Sequence, residues 1–323
     1  MAQIRIGGAD LNVRVEGPAD GEAVILAHHL GGSLDVFDAI APALAEKFRL
    51  VRYDCRGHGA SAASPAPYSI FGLARDAIAL LDALGIERAH FIGLSMGGMT
   101  GLAAMLEAPS RIGRAVLANT AAKVGSPDLW NGRISAARRD GPASLAGATQ
   151  ARWFTPEFLA AEPKAVEKVM ADFRATSREG YAGGCAALRD GDFREAAGAL
   201  SHKILVIAGA RDPSSPPQLA AFLAGAIEGA ELVSLDTSHM SPVEDAPGFS
   251  DAALGFLAMP EARTRARPLK IAARRPSGRP KLAIRTPAAP PAGKSAGKSA
   301  APKKGGPKPE GPAPKGGPPR KKD

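Results

Sequence analysis

Apolar positions along this chain first alternate and then run. Ile4 and Ile6, then Leu11, Val13 and Val15, recur at every second position, as in an opening antiparallel hairpin. From Ala23-Val24-Ile25-Leu26-Ala27 onward, short apolar stretches at 49–53, 89–94, 115–118, 203–208 and 231–235 predict further strands, with helices between them. Strands alternating with helices predict an α/β core. Residues 122–200 interrupt that alternation. There Ser126-Pro127-Asp128 and Thr155-Pro156-Glu157 each read as an N-cap, a proline at the first helical position and an acid in the first turn. Helices are therefore expected to start near 127 and 156. The expected organisation is a core of residues 1–121 and 201–258, with residues 122–200 as a helical cap over the strand ends. A cap excludes water and shapes the pocket, so it governs substrate choice more than the reacting groups do.

One connection carries chemistry. The strand Ala89-His90-Phe91-Ile92 runs into Gly93-Leu94-Ser95-Met96-Gly97-Gly98, and Met99 to Leu106 reads as a helix. Strand, G-x-S-x-G, helix is the pattern of a nucleophile elbow, whose glycines permit a turn sharp enough to raise a serine hydroxyl above a sheet. A glycine-softened turn whose serine only caps the helix shares this pattern, so its partners decide. A serine nucleophile needs an imidazole to take its proton and a carboxylate to hold that imidazole. The chain order that accompanies the elbow is serine, acid, histidine.

Both partners are found downstream. The strand run Lys203 to Ala208 exits into Gly209-Ala210-Arg211-Asp212-Pro213, which puts Asp212 just past a strand's carboxyl end. The next run, Glu231 to Leu235, exits into Asp236-Thr237-Ser238-His239 at the same edge. Of the six histidines, His90 and His202 open strands at the wrong end of the sheet and His58 lies in the turn Arg56-Gly57-His58-Gly59. His28 and His29 precede the serine and break the chain order. Ser95, Asp212 and His239 are the expected catalytic set. The loop His28-His29-Leu30-Gly31-Gly32-Ser33 after the strand Ala23–Ala27 is placed to offer one backbone N–H to an oxyanion, from Leu30, with the second from Met96. Adjacent His28 and His29 do not converge on one ion without further ligands, and none has the spacing to help. No metal and no cofactor is expected.

On these residues the chain resembles the α/β-hydrolase family, and within it the 3-oxoadipate enol-lactonases of bacterial aromatic degradation, over roughly residues 10 to 258. The segments Val51 to Ser61 and Gly93 to Gly101 are common to many α/β-hydrolases. Leu117 to Lys123 and Ser238 to Glu244 belong to the resemblance as well, and two narrower segments of the cap, Arg152-Trp153-Phe154-Thr155-Pro156 and Gly180-Tyr181 with Cys185 to Asp190, carry the lactonase likeness. Two dipeptides depart from it: family members usually have Asn-Ser at His28-His29 and Ala-Cys at Gly183-Gly184. The resemblance implies a mostly parallel sheet with helices on both faces under a helical cap. It also implies a serine hydrolase that opens a small anionic enol-lactone through an acyl-enzyme. Such a substrate carries a carboxylate, for which Arg133, Arg152 and Arg189 are the cap's candidate cations, with Trp130 and Trp153 as apolar walls. The alternatives are a carboxylesterase or perhydrolase with the same triad, or a hydrolase-fold binding protein acting through its C-terminal tail. A haloalkane dehalogenase is excluded, because it needs a carboxylate where Ser95 stands.

Composition adds an appendage. Residues 261–323 contain no aromatic residue and 18 Lys and Arg against Glu261, Glu310 and Asp323. The whole chain carries +9 and this segment +15, so the remainder is near −6. Such a Lys-, Pro-, Ala- and Gly-rich stretch cannot bury a core, so residues 259–323 are expected to be a disordered tail that attracts polyanions non-specifically. Gly293-Lys294-Ser295 is no phosphate loop, because no strand precedes it. Two cysteines, Cys55 and Cys185, the lack of a signal-peptide pattern and the lack of an 18-residue apolar run predict a cytoplasmic protein with no membrane partner. Nothing in the sequence sets an oligomeric state.

Overall fold

The computed structural model describes residues 1–259. The basic tail lies outside them. Eight strands form one sheet: β1 (Ala2–Ile6), β2 (Ala9–Glu16), β3 (Ala23–Ala27), β4 (Arg49–Tyr53), β5 (Ala89–Leu94), β6 (Ile112–Ala118), β7 (Ile204–Gly209) and β8 (Glu231–Leu235). Their spatial order is β1-β2-β4-β3-β5-β6-β7-β8. The alternating N-terminal segment forms the antiparallel hairpin that its pattern predicts, with Ile4 opposite Leu11 and Ala2 opposite Val13. From β4 onward every neighbouring pair is parallel.

The unbroken apolar runs have a physical cause. Every residue of β3, β5, β6 and β7 is buried, because helices cover both faces of a parallel sheet. Each fully buried Val, Leu or Ile there contributes roughly 1.5–3 kcal/mol. β6 starts at Ile112, earlier than expected, where its register with β5 shifts between Ala89 and Phe91. The chain steps outward from β3 to β4 and then returns to β5 on the other side of β3. The carboxyl ends of β3 and β5 therefore flank a topological switch point, where such sheets form their crevice.

The helices are α1 (Ala41–Ala45), α2 (Ile70–Ala83), α3 (Met96–Glu107), α4 (Pro127–Asp140), α5 (Ala146–Trp153), α6 (Pro156–Ala161), α7 (Pro163–Ala175), α8 (Arg178–Asp190), α9 (Pro217–Ala226), α10 (Ser241–Glu244) and α11 (Ala246–Leu257). α4 to α8 all lie in the connection between β6 and β7. α4 and α6 begin where their capping residues require. The Ser126 hydroxyl accepts the Leu129 N–H, the Thr155 hydroxyl accepts the Phe158 N–H, and a proline follows each cap. Gly184, in one of the two dipeptides that depart from the lactonase pattern, sits inside α8 where a Cβ would lie 2.5 Å from Leu30 Cδ1. A side chain at this position would have to push the Leu30 side chain aside. Among the described residues no helix is long and apolar enough to cross a membrane.

Candidate active site

Ser95 joins β5 to α3 with φ +56° and ψ −111°, a conformation rarely open to a residue with a side chain. Such strain costs of order 1–3 kcal/mol and persists only where the surroundings hold it. Here the Ser95 N–H donates to Ala118 O at 2.8 Å, and the Thr120 hydroxyl donates to Ser95 O at 2.7 Å. A Cβ on Gly97 would lie 1.9 Å from Ala27 O, so only glycine lets α3 start this close to β3.

His239 reaches the serine from the loop after β8. Its Nε2 lies 2.9 Å from Ser95 Oγ and its Nδ1 lies 2.7 Å from Asp212 Oδ2. The structure thus brings the three expected residues into one hydrogen-bonded line, with Asp212 2% exposed and His239 4%. The tautomer follows from the bonds around Asp212. Its Oδ1 accepts the N–H groups of Ser214 at 2.7 Å and Ser215 at 3.0 Å, and its Oδ2 accepts Asn119 Nδ2–H at 3.2 Å. A carboxylate held by donors alone is an ionised acceptor. The Nδ1 of His239 must then carry the proton, leaving Nε2 to accept the Ser95 O–H.

Asn119, within the segment Leu117 to Lys123, belongs to the site although its sequence context assigned it no part. It follows β6 with φ +47°, and its Nδ2 bonds both Asp212 and Ser238 O, at 2.9 Å for the latter. The available signal was its type and place: an asparagine just past a strand end tolerates the left-handed region that other side chains avoid.

The loop after β3 is braced by imidazoles. His28 donates from Nδ1 to His29 O at 2.7 Å and accepts the Cys55 N–H on Nε2 at 2.9 Å. With both nitrogens engaged by main chain, His28 has no lone pair left for an ion. His58 donates from Nδ1 to Arg56 O at 3.0 Å, and its ring lies 5.5 Å from that of His28. Burial pushes the pKa of His58 down to about 3 and also lowers those of His28 and His29. All three are neutral at pH 7. Leu30 follows on this loop, buried against α8, and Met96 is the first residue of α3, where a helix leaves its N–H groups without internal partners.

A cavity of about 340 Å³ opens over the serine. Ser95, His239, His29 and Leu30 form its floor, and Trp130, Arg133, Arg152, Trp153, Tyr181 and Leu188 line it from α4, α5 and α8. The Arg133 guanidinium lies over the Trp130 ring at 5.0 Å. Arg152 donates to the Thr149 hydroxyl at 3.4 Å, while its buried Nε has no partner among the described residues. Burial and then the charge of Arg133 lower its pKa. Neither arginine pairs with a carboxylate among the described residues. Arg189 corrects an expectation: it is not among the cavity's lining residues. It donates to both oxygens of neighbouring Asp190 at 2.8 Å and to Asn131 Oδ1 at 2.8 Å, so its charge is already matched outside the cavity.

Residues 22–246 match the model of the alpha/beta hydrolase fold family. The chain is 40% identical over 242 residues to 3-oxoadipate enol-lactonase 2 of Acinetobacter baylyi, spanning 75% of this chain and 91% of the relative. It is 34% identical to 3-oxoadipate enol-lactonase 1 of the same organism, over 77% of this chain and 94% of the relative. The crystal structure of the enol-lactonase from Burkholderia xenovorans LB400 superposes with a TM-score of 0.79 at 39% identity, covering 80% of this chain and 100% of that one. With its strand order, its strained Ser95 turn and these matches, the chain belongs to the α/β-hydrolase fold family.

Proposed function

We propose that this enzyme hydrolyses a small anionic enol-lactone, of the 3-oxoadipate enol-lactone class, in the cytoplasm. One observation carries the anionic part: Arg133 and Arg152 share a cavity with Ser95 and His239, and no carboxylate among the described residues pairs with either. A guanidinium removed from bulk water needs an anion or several acceptors, and a substrate carboxylate supplies both. The names of the relatives supply the lactone part. In this reading residues 122–200 act as a cap on a core of 1–121 and 201–258, and the cap's arginines hold the carboxylate while Trp130 and Trp153 flank the carbon skeleton.

The chemistry follows from the hydrogen-bonded line. Ser95 Oγ attacks the lactone carbonyl as His239 Nε2 takes its proton, and ionised Asp212 stabilises the imidazolium. The N–H groups of Leu30 and Met96 hold the developing oxyanion. Collapse breaks the bond between the carbonyl carbon and the ring oxygen, which takes the proton back from His239 and leaves as a tethered enol. Water, deprotonated by His239, then cleaves the acyl-enzyme and restores Ser95. Conversion of the enol to its ketone draws the ring opening forward.

The test compares kcat/KM for an enol-lactone acid with that for a neutral p-nitrophenyl ester, using the purified full-length chain and its Ser95→Ala and His239→Ala variants. Strong preference for the acid is expected, with each variant folded but lowered in kcat by about a thousandfold or more. A Ser95→Ala protein that keeps a tenth of its activity would exclude the mechanism.

A further inference from the structure

Glu244 ends α10, five residues past His239, and the mechanism above makes no use of it. Its Oε1 accepts the Thr155 N–H at 2.6 Å and the Thr155 hydroxyl at 3.0 Å, and its Oε2 accepts the Ser238 N–H. Those donors belong to two different parts of the chain. Thr155 caps α6 and stands two residues past the cavity residue Trp153, whereas Ser238 immediately precedes His239.

The same two segments touch along their main chains. The His239 N–H donates to Trp153 O at 3.0 Å, the Met240 N–H donates to the same oxygen at 3.2 Å, and the Ser238 hydroxyl donates to Arg152 O at 2.9 Å. Residues 152–155 and 238–240 are thereby seamed together. The Glu244 carboxylate closes the seam by holding a backbone N–H on each side.

We infer that Glu244 is a positioning residue for His239. It locks the loop that carries the base to the segment that carries Arg152, so that the imidazole and the cavity wall keep one fixed relation. The inference rests on the proposed role of His239 as base. A carboxylate suits the task because it offers acceptors on both oxygens to three donors. The isosteric amide keeps one acceptor and turns an NH₂ toward an N–H, which repels. Loss of the seam lets the His239 loop drift, and a displacement near 1 Å from the productive geometry costs up to about a hundredfold in rate.

The experiment measures how fast an alkyl fluorophosphonate labels Ser95 in the full-length wild type, Glu244→Gln and Glu244→Ala, with adducts located by mass spectrometry. This readout reports activation of the serine by His239 without depending on the natural substrate. Labelling should slow by about tenfold or more in Glu244→Gln and further in Glu244→Ala. The kcat for a neutral p-nitrophenyl ester should fall in step while KM stays within about threefold. The downfield proton resonance of His239 Nδ1–H should broaden or shift in both variants. If Glu244→Ala fails to fold, the isosteric Glu244→Gln carries the test. Labelling within about twofold of wild type in folded Glu244→Gln, even with a lowered Tm, would overturn the inference and leave only a structural tie. No adduct on Ser95 in the wild type would instead remove the catalytic reading on which the inference rests.

Discussion

Asn119 donates from Nδ2 to Asp212 Oδ2 at 3.2 Å and to Ser238 O at 2.9 Å, tying the end of β6 to the acid and to the loop of the base. The bond helps hold Asp212 in the orientation that faces His239 Nδ1. Asn119→Gly keeps the left-handed backbone and removes only the amide. It should lower kcat by about tenfold, the scale of one hydrogen bond to a charged group, with KM little changed. Steady-state kinetics with a p-nitrophenyl ester checks this, and an unchanged kcat would show that the Ser214 and Ser215 N–H groups suffice.

Replacement of the cavity arginines should separate the substrates. Arg152→Gln and Arg133→Gln keep hydrogen-bonding ability but lose the charge. Whichever cation meets the substrate carboxylate should, when neutralised, raise KM for an acidic lactone by roughly 10- to 100-fold, since a charge-assisted hydrogen bond is worth about 1.5–3 kcal/mol. The neutral ester should respond within about threefold. Arg189→Gln should spare both substrates, because its guanidinium is matched by Asp190 and Asn131 outside the cavity. Equal losses on the acidic and the neutral substrate would remove the anion-binding role.

The buried histidines set an acid limit on stability. His58 titrates near 6.5 when exposed but is pushed down to about 3 by burial, so between these values the unfolded chain binds a proton that the folded chain refuses. His28 and His29 are shifted in the same direction. Stability is therefore full above pH 6.5 and is lost as the pH falls toward 3, by up to about 1.4 kcal/mol per pH unit for each such group. Thermal melts from pH 7.5 down to 5 should show Tm dropping below about pH 6.5. His58→Gln, whose amide can still donate to Arg56 O, should flatten that slope. A Tm independent of pH across this range would contradict neutral buried imidazoles.

Truncation after Met259 should remove the charge asymmetry while leaving the chemistry. The segment 261–323 carries +15 and no aromatic side chain, so any attraction to nucleic acid is electrostatic, sequence-blind and steeply weakened by salt. The truncated enzyme should keep kcat/KM within about twofold yet lose retention on heparin at low salt. A folded, truncated and inactive protein would place the tail in the catalytic machinery.

Much of this molecule was legible in one dimension. Whether an apolar run is unbroken or alternating depends on whether both faces of a strand are covered or only one, so the fully buried β3, β5, β6 and β7 and the N-terminal hairpin are marked in the sequence itself. Ser126-Pro127 and Thr155-Pro156 announced α4 and α6, because capping is a contact between residues three apart. The order Ser95, Asp212, His239 was likewise readable, because each follows a strand that ends at the same edge of the sheet. What stayed hidden depends on direction in space. Arg152 and Arg189 look alike in sequence, yet one enters the cavity and the other turns to Asp190, a difference set by how α5 and α8 pack. Asn119 and Glu244 act across 93 and 89 residues of chain, on Asp212 and Thr155, and no local pattern encodes so long a reach. Periodicity and order are properties of neighbours along the chain, whereas the partners of a polar side chain are decided only when the fold brings distant segments within 3 Å of each other.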